Sequence, residues 1–154
     1  MVIQYKQGDA TSPEETGNVI ICHICNNIGA WGAGFVLALS KKWKEPERDY
    51  RIWSKKDTCY LGQVQFVKVT KNIVVCNMIA QHGVGIAKDG TPPIRYEALR
   101  ICLRRVRAYA EDTDAVVVGP RMGSGLSAGK WPEIKKIIQE ELCDKGIEVT
   151  IYDL

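Results

Sequence analysis

An α/β fold, with one layered sheet covered by helices on both faces, is predicted by three features of the 154-residue sequence. Short apolar runs alternate with stretches whose apolar residues recur at helical spacing. The central runs are nearly continuous, as strands buried on both faces require. Two glycine-rich loops each fall between a strand and a helix, and in such sheets ligands bind in the crevice beyond the carboxyl ends of the strands.

Val2–Gln7 alternates apolar and polar residues and reads as a half-buried strand ended by Gly8-Asp9. Val19–Cys25 is a central strand, and Asn26–Gly34 is the first glycine loop, opening a buried helix over Phe35–Ser40. Pro46–Lys55 reads as a helix with Pro46 in its first turn. Val64–Val69 and Ile73–Ile79 are strands joined by the tight turn Thr70-Lys71-Asn72.

Ala80–Pro93 carries Gly83, Gly85, Gly90 and two prolines and is expected to be a loop that flaps over a ligand. Tyr96, Leu99, Leu103 and Val106 give the core stripe of the next helix. Ala115–Val118 is a short buried strand, followed by the second glycine loop, Gly119–Ser127. Trp131, Ile134, Ile137, Ile138 and Leu142 form the apolar face of the last helix, and Glu148–Tyr152 closes as a strand.

The length suits one domain spanning residues 1–154. No apolar run approaches the roughly 18 residues of a membrane span, and no secretion signal precedes the first strand, so a cytoplasmic monomer away from membranes is expected. The six cysteines are read as reduced thiols. A net charge of +3, from 21 basic and 18 acidic residues, permits nucleic acid without favouring it, and suits a small anion.

Glycine lets a backbone approach a phosphate closely and aim several N–H groups at it, so two such loops suit a diphosphate. The common nucleotide fingerprints are missing: Gly29, Gly32 and Gly34 read in the reverse order of the dinucleotide pattern, and Gly129-Lys130 is followed by Trp131. Cys22 and Cys25 lie three apart on a strand and face opposite ways, which excludes a shared metal. Gly123-Ser124-Gly125 is not a nucleophile elbow, and no motif demands a metal or cofactor. Arg100, Arg104 and Arg107 are read as a solvated helix face.

Taken together, Gly8-Asp9-Ala10, His23–Asn26, Gly29–Phe35, Pro120–Leu126 and the terminal Val149–Leu154 resemble a macrodomain along essentially the whole chain. The match is similar to the subgroup of terminal ADP-ribose protein glycohydrolase and the fungal ADP-ribose 1″-phosphate phosphatase. The resemblance implies a three-layer α/β/α arrangement with a mixed central sheet. It also implies an ADP-ribose ligand and, as partner, an ADP-ribosylated protein.

Under that resemblance Asp9 reads the adenine amino group, with Ala10 beside it and Tyr152 and Leu154 packed against the base. Gly32, Ala33, Gly34 and Phe35 wrap the diphosphate and distal ribose on one side. Arg121, Met122, Gly123, Ser124, Gly125, Leu126 and Ser127 do so on the other, and Asn26 reaches the distal ribose.

The glycohydrolase type uses a lysine and an aspartate, but the matching positions here hold Gln81 and Ser127. No acidic residue stands within the first glycine loop, where Val36 follows Phe35. Glutamine cannot serve as an amine nucleophile, so chemistry would use a water positioned by Asn26, Gln81 or His82, with His23 or His82 as a candidate base. Three readings stay open: a hydrolase acting on ester-linked ADP-ribose or on ADP-ribose 1″-phosphate, a reader that binds ADP-ribose without turnover, and a hydrolase of DNA-linked ADP-ribose, which the modest positive charge permits without favouring.

Overall fold

A computed structural model describes Met1–Leu154. Six strands, β1 (Gln4–Gln7), β2 (Asn18–Asn26), β3 (Val64–Lys68), β4 (Ile73–Gln81), β5 (Ala115–Gly119) and β6 (Val149–Asp153), form one sheet in the order β1-β6-β5-β2-β4-β3. The helices are α1 (Phe35–Lys42), α2 (Glu45–Trp53), α3 (Tyr96–Thr113) and α4 (Trp131–Glu141). All neighbouring strands are parallel except β3 and β4.

That exception follows from the short connection. Thr70 Oγ1 accepts hydrogen bonds from the backbone N–H of Asn72 and Ile73, closing a turn too short to cross the sheet, so β3 must return antiparallel. The sheet is therefore mixed, and the two helical layers make it α/β/α.

The pleat of β2 divides the core. Ile20 and Cys22 face α3 and α4 with Leu99, Leu103, Ile134 and Ile138, whereas Val19, Ile21 and Cys25 face α1 and α2 with Leu39 and Tyr50. Cys22 and Cys25 thus occupy opposite faces, and all six cysteines are free and buried. No helix is long and apolar enough to cross a membrane.

Two expectations need correction. The stretch from Ala80 does not begin as a loop: β4 runs on to Gln81, which pairs with Asn26 across a register shift between Cys25 and Asn26 and bridges to Ile94. Nor are the three arginines a solvated face. Arg100 and Arg104 donate to the buried carboxylate of Glu141 on α4 at 2.9 and 3.2 Å, and Arg107 donates to its backbone oxygen at 3.0 Å, joining α3 to α4.

Candidate functional site

The carboxyl ends of β2 and β5 release the chain into the two glycine loops, which line opposite sides of one cavity of about 780 Å³. Ligand cavities for molecules of nucleotide size commonly fall between roughly 300 and 1,000 Å³. The lining takes in His23, Asn26, Gly32, Ala33, Gly34, Phe35, Gln81 and the whole run Arg121–Ser127. Val84 and Gly85 of the predicted flap also line it.

The first loop is shaped from within by Asn26. Its Oδ1 accepts from the backbone N–H of Ile28 and Ala30, each at 3.0 Å, and from the Tyr50 hydroxyl at 2.8 Å, while its Nδ2 donates to the Ala30 carbonyl at 2.8 Å. One N–H of the Asn26 amide is left over. Gly34, at φ 82° and ψ −148°, lies where side chains are strained, and it turns the chain into α1. That helix has no side-chain cap and no acid in its first turn, so its leading N–H groups offer partial positive charge to an anion.

In the second loop Gly123 sits at φ 79°, where side chains are strained, and a β-carbon there would also crowd Ile94 Cδ1 at 2.7 Å and Ile24 Cδ1 at 2.9 Å. Gly32 and Gly125 differ, since a β-carbon at either meets nothing within 4 Å. They are open ground on the cavity wall.

At the cavity's inner end Ser127 Oγ donates to Gln81 Oε1, and Gln81 Nε2 donates to the Gly83 carbonyl at 2.9 Å. Both side chains are buried and uncharged. Gln81 and Ser127 thus form a neutral hydrogen-bonded pair at the cavity wall.

Three ionisable side chains line the cavity, and each is spoken for. His23 is 2% exposed and lies 2.5 Å from Asn77 Oδ1 through Nε2. The Asn77 amide N–H groups go to Pro46 O and Gln65 Oε1, so its oxygen accepts and the imidazole donates from Nε2. Burial pushes the His23 pKa down to about 4. Burial likewise raises the Cys25 thiol well above its ordinary range. Arg121 forks onto Asp153 at 2.8 and 3.1 Å and lies over the rings of Tyr5 and Trp131, so its guanidinium is already paired.

Several expected residues stand outside the lining. His82 is exposed, within 3.1 Å of Asn27 Nδ2 through Nδ1, and is not a lining residue. Tyr152 is only 3% exposed because its hydroxyl donates to Glu15 and accepts from the Glu14 N–H, which folds that segment over it, so it is no open stacking platform. Ala10 is buried in the same cluster, and Leu154 projects into solvent at the chain end. Asp9 is exposed beside β6 on the same rim, its Oδ1 accepting from the N–H and hydroxyl of Thr11.

Residues that sequence reading did not single out include Trp31, Val84 and Tyr50. Trp31 lines the cavity, and its neighbouring glycines pointed to the loop but not to the side chain. No group of three or more His, Cys, Asp or Glu side chains is arranged to hold a metal.

No family model matches the chain. Among solved structures it is similar to a protein of unknown function from Bacteroides thetaiotaomicron, with TM-score 0.98 and 53% identity, covering 100% of this chain and 99% of that one. It is also similar to a macrodomain protein from Streptomyces coelicolor, with TM-score 0.87 and 43% identity over 99% of both chains. The fold recurs in a Thermosipho africanus DarTG structure in complex with ADP-ribose, with TM-score 0.72 and 13% identity, covering 89% of this chain and 42% of that chain.

Among curated proteins the chain is 28% identical over 159 residues to a chromodomain-helicase-DNA-binding protein 1-like from Danio rerio. That match covers 97% of this chain but 15% of the longer protein. An ADP-ribose 1″-phosphate phosphatase from Candida albicans is 22% identical over 145 residues, covering 90% of this chain and 93% of that protein.

Proposed function

The chain belongs to the macrodomain family, and from that premise we propose that it binds ADP-ribose in the cavity between its two glycine loops. One observation carries the reading: loops from β2 and β5, far apart in sequence, line a single cavity of about 780 Å³. Gly32–Phe35 and Gly123–Ser127 hold the diphosphate from either side, Asn26 donates its remaining N–H to the distal ribose, and Asp9 reads the adenine amino group. The ADP-ribose-bound relative and the phosphatase relative support this ligand class.

The protein acts as a hydrolase on ester-linked ADP-ribose or on ADP-ribose 1″-phosphate, with water as the nucleophile. The lining offers spare N–H donors from Asn26 and Gln81 and no general base that is both free and near neutral pKa. Those donors orient a water, and the ligand's own phosphate takes its proton. His82 takes no part in this mechanism, being exposed and outside the cavity lining.

A second reading, a module that recognises ADP-ribose without turnover, is favoured by the Ser127–Gln81 hydrogen bond, which replaces the reactive lysine and aspartate with a neutral pair. Incubation with a glutamate-ADP-ribosylated peptide and with ADP-ribose 1″-phosphate separates the two. Free ADP-ribose as product supports the hydrolase, binding without product supports the reader, and no binding of ADP-ribose sinks both.

A further inference from the structure

We propose that Tyr50 is a positioning residue for ligand binding: its hydroxyl, from beneath the site, sets the shape of the first glycine loop. The inference rests on the reading of the cavity as an ADP-ribose site. Tyr50 lies on α2, is fully buried, and does not line the cavity.

The single hydroxyl proton is shared between two oxygens of Asn26, the backbone carbonyl at 2.6 Å and Oδ1 at 2.8 Å, and the hydroxyl oxygen accepts from the Gly29 N–H at 3.2 Å. With Asn26 Oδ1 already accepting from Ile28 and Ala30, three consecutive amides are drawn inward onto one Tyr–Asn pair. The turn is thereby fixed, and Gly32–Gly34, on its outgoing limb, stand at the cavity wall.

A second strap runs over the same helix. The Trp31 indole donates to Ser40 Oγ at 2.8 Å, Ser40 donates to Glu47 Oε1 at 2.9 Å, and Arg51 joins Glu47 at 2.9 Å to the Gly29 carbonyl at 3.2 Å. Glu47, Tyr50 and Arg51 sit three and four residues apart, the spacing of one helix face. α2 thus splints the loop from a single side.

The hydroxyl serves only this loop, since its partners are Asn26 and Gly29, whereas the ring packs with Trp31 at 5.4 Å between centroids. Phenylalanine would keep that packing and drop the hydroxyl. Tyr50→Phe is therefore the informative variant, read by amide hydrogen exchange and by calorimetry with ADP-ribose and with AMP, which lacks the second phosphate and the distal ribose.

In the variant, exchange at Ile28, Gly29 and Ala30 should quicken by roughly tenfold as one buried hydrogen-bonding centre is lost. ADP-ribose affinity should fall roughly five- to tenfold through the smaller population of the competent loop, and AMP affinity should hold. Unchanged exchange, an unchanged ADP-ribose affinity, or equal losses for both nucleotides would overturn the proposal.

If Tyr50→Phe does not fold, Arg51→Ala, on the exposed face of α2, should quicken exchange across Gly29–Trp31 and weaken ADP-ribose severalfold, and no change in either counts against the splint. A wild-type protein that ignores ADP-ribose refutes the functional reading instead, while the exchange measurement still decides whether Tyr50 holds the loop.

Discussion

Leu126 of the second glycine loop overhangs Gly34 of the first: a β-carbon built on Gly34 would stand 3.2 Å from Leu126 Cδ1. Leu126 is nonetheless 65% exposed, and both residues line the cavity. Gly34→Glu should strain a backbone at φ 82°, press on Leu126 and abolish ADP-ribose binding. The strain should cost about 1–2 kcal/mol of stability, read by thermal denaturation beside calorimetry. Retained affinity in a folded variant would remove the first loop from the site.

Asp9→Asn should keep the turn, because an amide oxygen can still accept from Thr11 as the carboxylate does at 2.8 Å. It would put N–H groups where the adenine amino group needs an acceptor, weakening ADP-ribose by roughly tenfold. Equal affinity in a titration would take Asp9 out of adenine recognition.

His23 makes a pH prediction whose direction follows from its pKa of about 4 when folded. Between pH 6.5 and 4 the unfolded chain binds the proton more readily, so the stabilisation is complete above 6.5 and is lost as pH falls toward 4. The full loss is roughly 3 kcal/mol. NMR of the imidazole nitrogens should find His23 neutral at pH 5. Titration near 6.5 would contradict the burial that holds the ring neutral against the opposing pull of its Asn77 hydrogen bond.

Glu141 should act lower on the pH scale. Hydrogen bonds from Arg100 and Arg104 outweigh burial and hold its carboxyl below 4.5, so its contribution is present above 4.5 and fades as pH drops through the folded value. Glu141→Gln should destabilise by about 1–2 kcal/mol, because the arginines remain partly solvated. Chemical denaturation with no change would show the α3–α4 ion cluster to be energetically idle.

The layered sheet was legible wherever one strand or helix carries its own signal. β2 is apolar on both faces because helices cover both, and the α3 stripe of Leu99, Leu103 and Val106 is the face that meets the core. The glycine loops were legible for the same local reason. What escaped depends on partners distant in the chain: β4 reaches Gln81 only because Asn26 pairs with it, the arginines find Glu141 across a helix interface, and the Glu14–Glu15 segment covers Tyr152. Tyr50 gave no signal, since nothing in Pro46–Lys55 reveals that its hydroxyl meets a loop 21 to 24 residues earlier.

The most direct test of the cradle uses Gly32 and Gly125, cavity-lining positions outside the positive-φ region where a β-carbon meets nothing within 4 Å. Side chains there should be tolerated by the fold and fill the space assigned to the diphosphate. Titration of ADP-ribose into wild type, Gly32→Glu and Gly125→Leu should give clear binding to the first and affinity reduced by roughly a hundredfold, or nearly 3 kcal/mol, in the others. Equal affinity in all three folded proteins, or none in the wild type, would contradict the account.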